Sequence, residues 1–193
     1  VKNSETADPI PRIRIVFGGH NVRDKDGIGI DFAVVERYKP TNFREVRLVI
    51  TYALLRKWTV YALDVEGAYL NTPLPREYET YCRMSKDLAE ACRKAAGWSI
   101  DPSTMKDPVY RMRRALYGHP LAGDFFASSF GKILEGFGMS LLCPEVSESL
   151  WVLRDDNKQI TGIISMYVDD AVLAFCPPEL ARFKEYIERH FDL

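Results

Sequence analysis

Four residues near the C-terminal end, Tyr167-Val168-Asp169-Asp170, place two adjacent aspartates inside an apolar part of the sequence. The apolar segments before and after them have the composition of β-strands. Two charges between apolar strands cost free energy unless a ligand compensates them. Carboxylates bind divalent cations, and enzymes of phosphoryl transfer use such cations. The motif therefore predicts a metal-dependent site in a turn between two strands.

A third acid, Asp64, closes another apolar run at residues 59–63. If the two strands are neighbours, Asp64 and Asp169 can face one position near the sheet edge, where a cation would compensate their repulsion. Two metal ions about 4 Å apart would bind an attacking hydroxyl and a leaving pyrophosphate together. An aspartate at a strand end is by itself more often a turn residue, so the prediction depends on the combination.

The bulk composition fits a globular domain without a membrane span. The chain has 193 residues, of which 47% are hydrophobic, and no apolar run approaches the roughly 20 residues that cross a bilayer. The net charge is −1, but basic segments (1–60 and 82–132) alternate with acidic ones (61–81 and 133–193). A basic surface around carboxylates suits a polyanionic substrate, although ordinary surface charge explains the pattern equally well. The cysteines lack metal-site spacing and indicate reduced thiols in an intracellular protein.

Local patterns predict an α+β domain, an antiparallel sheet with helices packed on one face. A capping box at Asn42 and Glu45 opens the first long helix, through about residue 57. A later helix is predicted from Pro120 to Glu135, with Gly136 as its terminator. The other predicted helices are 85–97 and 177–191, and the predicted strands are 11–17, 58–65, 78–84, 109–112, 138–143, 150–153 and 159–175.

Three motifs, in this order and at these separations, resemble the reverse transcriptase of copia-type (Pseudoviridae) LTR retrotransposons. They are Asp64-Val65-x-x-Ala68-Tyr69-Leu70-Asn71, Ala115-Leu116-Tyr117-Gly118 and Tyr167-Val168-Asp169-Asp170. Weaker similarity covers nearly the whole chain. The resemblance implies a right-hand architecture, a polymerase palm with a small fingers subdomain and without a thumb.

The same resemblance implies a division of the chain within one fingers-palm unit, expected to be a fragment of a longer polyprotein. Residues 1–58 would be mainly fingers, and residues 59–71 would form the palm strand with the first catalytic aspartate. Residues 72–118 would connect fingers and palm, and residues 119–193 would form the palm with the hairpin.

The resemblance implies RNA-directed and DNA-directed DNA synthesis, with nucleotidyl transfer from a dNTP to a primer 3′-hydroxyl. Asp64, Asp169 and Asp170 would be the catalytic residues. Together with the backbone carbonyl of Val65 they would hold two Mg²⁺ ions, for which Mn²⁺ is a substitute. Catalysis would then be mostly positioning and electrostatics.

The resemblance also implies contacts with the substrates. The dNTP-binding residues would be Arg12 and Arg14 at the triphosphate, Tyr69 under the sugar, and Tyr117 and Gly118 as the pocket floor. The ring of Tyr69 would exclude a 2′-hydroxyl. Tyr167 and Val168 would lie against the primer terminus. For each of these residues, core packing or a solvated strand face is the ordinary alternative.

The implied partners are an RNA or DNA template with its primer, dNTPs, and the remainder of a Gag-Pol-type polyprotein with thumb, ribonuclease H and integrase. No membrane is implied. The expected location is intracellular, in the cytoplasm within retrotransposon particles or in the nucleus.

One departure from the family pattern keeps two other functions open. Copia-type enzymes usually continue Leu-Tyr-Gly with Leu-Lys-Gln, whereas this chain continues with His119-Pro120. A palm fold that binds nucleic acid without catalysis is one alternative. A nucleotidyl transferase that copies no template is the other.

Overall fold

The computed structural model describes residues 15–24, 26–30, 38–97, 101, 104–106 and 108–191. The helices are α1 (Phe43–Arg56), α2 (Ala68–Asn71), α3 (Lys86–Ala96), α4 (Ala122–Phe137) and α5 (Pro177–Glu188). The strands are β1 (Val60–Asp64), β2 (Tyr81–Arg83), β3 (Val109–Arg111), β4 (Met139–Leu141), β5 (Leu150–Arg154), β6 (Ile160–Tyr167) and β7 (Asp170–Phe175). The strand predicted at residues 11–17 lies mostly outside the described residues.

The larger sheet has five strands in the order β1-β7-β6-β5-β4, and each neighbouring pair is antiparallel. A smaller sheet pairs β2 with β3. This arrangement confirms the predicted antiparallel sheet and the mixed content of helix and strand. The first of these strands, β1, pairs with the last, β7. The fold therefore brings two apolar segments that are distant in sequence together at one edge of the sheet.

Helices cover both faces of the larger sheet, which corrects the predicted packing on one face. The core beneath α4 and α5 contains Ile164 of β6, and the core beneath α1 contains its neighbour Ile163. Successive residues of a strand point to opposite faces, so both faces of β6 are buried. The prediction was wrong about β6. Its apolar residues do not alternate regularly with polar ones, and such a run is typical of a strand that is buried on both faces.

The structure confirms the predicted start of α1 and corrects the predicted end of α4. The capping box of α1 is confirmed, since the Asn42 side chain accepts from the Glu45 amide and the Glu45 carboxylate accepts from the Asn42 amide at 3.0 Å. By contrast, α4 ends at Gly138, whose φ is 99°, and not at Gly136. A Cβ at Gly136 would come within 2.7 Å of the Tyr186 hydroxyl oxygen, so this glycine permits a close approach inside the helix.

The described helices include none that is long and apolar enough to cross a membrane.

Candidate active site

The pairing of β1 with β7 brings the predicted acids to one edge of the sheet. Asp64, the last residue of β1, lies directly opposite Asp170, the first residue of β7. The Val65 amide donates a hydrogen bond to the Asp169 carbonyl oxygen at 3.0 Å. The backbone of the Asp64-Val65 segment is therefore fixed against the backbone of the Asp pair, although about a hundred residues separate them along the chain.

A two-residue turn presents Asp169. Tyr167 and Asp170 are the closing pair of the β6–β7 hairpin, so Val168 and Asp169 form its loop. Val168 has a φ of 55°, a conformation that β-branched residues rarely adopt. Such strain costs on the order of 1–3 kcal/mol and persists only where surrounding contacts hold the backbone. The turn is therefore a constrained support for the two acids.

Negative charge collects at this edge of the sheet. Burial raises the pKa of Asp170, and the charges of Asp169 and Asp64 raise it further. In the part of the chain that the structure describes, no salt bridge reaches any of the three carboxylates. A carboxyl group whose pKa is raised by its neighbours is a ready acceptor for a cation.

The donors suit a divalent metal that also binds its substrate. Among the described residues, no group of three or more His, Cys, Asp or Glu side chains is close enough to hold a metal ion unaided. Mg²⁺ keeps several waters and is usually held by one or two carboxylates plus substrate phosphates, not by a cage of protein ligands. The Val65 carbonyl accepts one hydrogen bond, from the Ala68 amide at 3.3 Å, and a carbonyl oxygen has two lone pairs. These oxygen donors fit Mg²⁺ or Mn²⁺.

Tyr69 stands beside the acids on the short helix α2. Its ring packs edge-to-face on Tyr117, with the centroids 4.9 Å apart, and more distantly on Phe126 at 6.4 Å. Burial raises the pKa of Tyr69, and the negative charge of Asp169 is the next contributor. The half-buried ring thus packs against the core and also lies near the turn that carries Asp169.

Gly118 occupies a position that accepts no side chain. Its φ is 86°, and a Cβ there would lie 2.2 Å from the Phe17 carbonyl oxygen. The Phe17 amide donates to the Tyr117 carbonyl oxygen at 2.6 Å. A Cβ at Gly19 would in turn lie 2.0 Å from the Gly118 carbonyl oxygen. A segment of the predicted fingers (residues 17–19) and the end of the predicted connection (residues 117–118) are therefore in direct backbone contact beside Tyr69.

The family model described as reverse transcriptase (RNA-dependent DNA polymerase) matches residues 11–193, nearly the whole chain. The chain belongs to the reverse transcriptase family. This family is typical of copia-type LTR retrotransposons, as the sequence motifs predicted. Membership identifies the domain as an RNA-directed DNA polymerase, a nucleotidyltransferase. No curated protein gives a significant match to the chain.

The remaining predicted site residues of the reverse transcriptase domain fall into two groups. Tyr167 and Val168 lie in the β6–β7 hairpin next to the acids, and Tyr167 is 54% exposed. Their predicted contact with the primer terminus stays a prediction. Arg12 and Arg14 lie outside the described residues.

His119, which follows the Tyr-Gly motif, is a packing residue in this reverse transcriptase domain. Its Nδ1 accepts from the Leu121 amide at 3.2 Å, so the neutral ring carries its proton on Nε2, 3.3 Å from the Thr80 hydroxyl oxygen. The ring also lies near Phe17 and Phe125, with centroids 5.6 and 5.7 Å away. Burial lowers the pKa of His119. No local sequence pattern indicates this role, because the partners come from distant segments.

Proposed function

We propose that this domain transfers a nucleotidyl group from a dNTP to a primer 3′-hydroxyl on an RNA or DNA template, at the edge formed by Asp64, Asp169 and Asp170. The observation that supports the proposal most is the register that sets Asp64 opposite Asp170, with Asp169 in the adjoining turn. Three carboxylates at one sheet edge, with no salt bridge to a cation of the described residues, suit a substrate that arrives with divalent metal.

The acids and the Val65 carbonyl would hold two divalent cations, Mg²⁺ with Mn²⁺ as a substitute. When bound, such ions lower the pKa of an attacking hydroxyl and stabilise charge on the α-phosphate. The chain's own residues bind and orient the reactants. No side chain of the site needs to act as a general base, since a primer hydroxyl next to a cation loses its proton readily.

Tyr69 would select deoxynucleotides. Its ring packs on Tyr117 and is near enough to Asp169 for that charge to raise the pKa of Tyr69. The sugar of a nucleotide bound at the acids would therefore lie next to the ring, and a 2′-hydroxyl there would clash with it. Tyr117 and Gly118, whose backbone is in close contact with Phe17, would form the floor of this pocket.

Further roles follow from the same proposal. Tyr167 and Val168 would contact the primer terminus, and Arg12 and Arg14 would neutralise the triphosphate. Residues 1–58 would act mainly as fingers, 59–71 and 119–193 as palm, and 72–118 as their connection. A thumb, a ribonuclease H and an integrase of a Gag-Pol-type polyprotein would be the partners, inside cytoplasmic particles or in the nucleus.

Primer extension by the domain in its parent polyprotein tests the proposal. Asp169→Asn should abolish incorporation of dNTPs directed by an RNA template, whereas Asp156→Asn in the exposed β5–β6 loop should leave the rate unchanged. Binding of primer-template without incorporation would favour a palm domain that has lost catalysis. Incorporation that ignores the template sequence would favour an untemplated nucleotidyl transferase.

A further inference from the structure

Glu45 does more than cap helix α1. Its Oε2 accepts hydrogen bonds from the Asn42 amide at 3.0 Å, the Thr41 hydroxyl at 2.8 Å and the Ser149 hydroxyl at 3.0 Å. Only the first of these bonds belongs to the capping box. Ser149 is 104 residues away along the chain, at the start of the strand region that supports the catalytic hairpin. Glu45 therefore links the start of α1 to the sheet.

The carboxylate also sets the direction of a buried hydroxyl chain. Thr41 and Ser165 are in short hydrogen-bond contact through their hydroxyl oxygens, and the Ser165 side chain in β6 is fully buried. A carboxylate can only accept, and a threonine hydroxyl has one proton. Since Thr41 donates to Glu45, Ser165 must donate to Thr41. Both hydroxyls thus depend on the carboxylate as the final acceptor.

The residues that Glu45 ties together hold the backbone of Met166. The Thr41 amide donates to the Met166 carbonyl oxygen at 2.9 Å, and the Met166 amide donates to the Ser149 carbonyl oxygen at 3.0 Å. Met166 directly precedes Tyr167, the residue that pairs with Asp170. Both backbone groups of the last residue before the hairpin tip are therefore fixed by partners of Glu45.

The ionised form of Glu45 suits this role. Burial would raise the pKa of Glu45, but hydrogen bonds from Ser147, Thr41, Asn42 and Ser149 together lower it. An ionised acceptor makes stronger hydrogen bonds than a neutral one. The Val168 turn beyond Met166 has a strained φ of 55°, and strain of this kind persists only where neighbouring contacts determine the backbone.

We propose that Glu45 is a positioning residue for the catalytic hairpin: by tying Thr41 and Ser149 together it fixes Met166, and through Met166 the turn that presents Asp169 and Asp170. Its consequence for catalysis rests on the proposed polymerase function. Its effect on the hairpin does not, so the two can be tested separately.

Hydrogen exchange at the Met166 amide, in the intact protein, measures the effect on the hairpin. Glu45→Ala and Ser149→Ala should each speed exchange at Met166 by about tenfold or more, because the link that holds this hydrogen bond is lost. Ser149→Ala keeps the backbone acceptor and the whole capping box. Asn42→Ala is the matched control, since it removes the side-chain cap of α1 and should leave Met166 unchanged. If Glu45→Ala does not fold, Glu45→Gln takes its place.

Equal exchange at Met166 in wild type and Ser149→Ala would overturn the proposal. So would equal acceleration in Asn42→Ala, because helix fraying would then explain the effect.

Kinetics of dNTP incorporation measure the catalytic consequence. In Ser149→Ala and Glu45→Gln, kcat should fall and the Mg²⁺ concentration that gives the half-maximal rate should rise by roughly tenfold, because residues that support metal ligands affect metal affinity to about this extent. The KM for dNTP should stay nearly constant. An active wild type with an unchanged Mg²⁺ dependence in both variants would contradict the proposal. An inactive wild type would count against the polymerase function, while the exchange at Met166 would still decide whether Glu45 positions the hairpin.

Discussion

Asp64 and Asp170 face each other as direct cross-strand partners at the end of the β1–β7 pairing. Side chains of opposed residues in an antiparallel pair are about 5 Å apart at Cβ. The sheet therefore holds two like charges together by backbone hydrogen bonds, and Asp169 in the adjoining turn adds a third. The repulsion among these carboxylates lowers the stability of the fold, and such a cost is expected where the charges serve binding or catalysis.

Replacing one acid should stabilise the metal-free domain while removing its activity. We expect Asp64→Asn to raise the free energy of unfolding at pH 7 by roughly 0.5 kcal/mol in the presence of a chelator, because like charges directly opposite are destabilising. Urea unfolding measures the change. Added Mg²⁺ should stabilise the wild type more than Asp64→Asn, since a ligand stabilises only the state that binds it.

The pH dependence supplies a second test of this pair. Because its folded-state pKa is raised, the contribution of Asp170 to stability is present at low pH and is lost as the pH rises through that raised pKa. Asp64→Asn should reduce this loss, and Asp156→Asn should not. A lower stability of Asp64→Asn at neutral pH without metal would contradict the view that repulsion dominates at this edge.

Removing the Tyr69 ring should admit ribonucleotides. We expect Tyr69→Ala to lower the preference for dNTPs over rNTPs by about tenfold or more, since a steric exclusion worth 1–3 kcal/mol corresponds to about 10- to 200-fold. Tyr69→Phe keeps the packing on Tyr117 and should retain the preference. Competition between dNTP and rNTP in primer extension gives the ratio. An unchanged ratio in Tyr69→Ala would show that the ring serves only the core.

Local signals in the sequence were sufficient where the interaction is local. The Asn42–Glu45 capping box was predicted because both residues lie within one helical turn. The hydrogen bond from Ser149 to the Glu45 carboxylate could not be predicted, because the two residues are 104 positions apart and such a contact leaves no local pattern in the sequence. The three aspartates could be predicted as site residues because each lies at the end of an apolar run in the sequence. The pairing of Asp64 with Asp170 could not, because the strand register is set only in the folded sheet.

A methyl group at Gly118 should disrupt the floor of the predicted nucleotide pocket. We expect Gly118→Ala to cost about 2 kcal/mol or more, because a side chain at positive φ is strained and would also overlap the Phe17 carbonyl. Gly18→Ala is the matched control, since the atom nearest to an added Cβ is 3.9 Å away, on His20. Urea unfolding and KM for dNTP report the two effects. Equal stability of the two variants would contradict the close contact between residues 17–19 and 117–118.

The buried His119 should make stability depend on pH below neutrality. Its folded-state pKa is lowered from the ordinary value of 6.5, so the unfolded chain binds a proton more readily and stability falls as the pH drops below about 6.5. Protonation would also place a proton on Nδ1, where the Leu121 amide now donates. His119→Leu should flatten the dependence between about pH 6.5 and 5, and His20→Asn at an exposed site should not. An identical slope in His119→Leu would show that other groups cause it.

Two features of the fold depend on contacts between segments that are distant in the chain. Glycine often terminates helices, so the sequence favours Gly136 as the end of α4, yet the small size of this glycine instead admits the Tyr186 hydroxyl. That α1 covers the second face of the larger sheet could not be predicted, because an apolar run shows that a strand is buried but does not show which helix packs on each face. In both cases the deciding partner is distant in the chain.

The most direct test of the cation site is a crystal structure of the domain with primer-template, a non-hydrolysable dNTP and Mn²⁺, in which anomalous scattering locates the metal. The expected result is Mn²⁺ bound by carboxylate oxygens of Asp64 and of the Asp169-Asp170 pair together, with substrate phosphate completing the ligands. Bound substrate with Mn²⁺ held away from Asp64, or by the hairpin alone, would contradict the convergence of the three acids on one site.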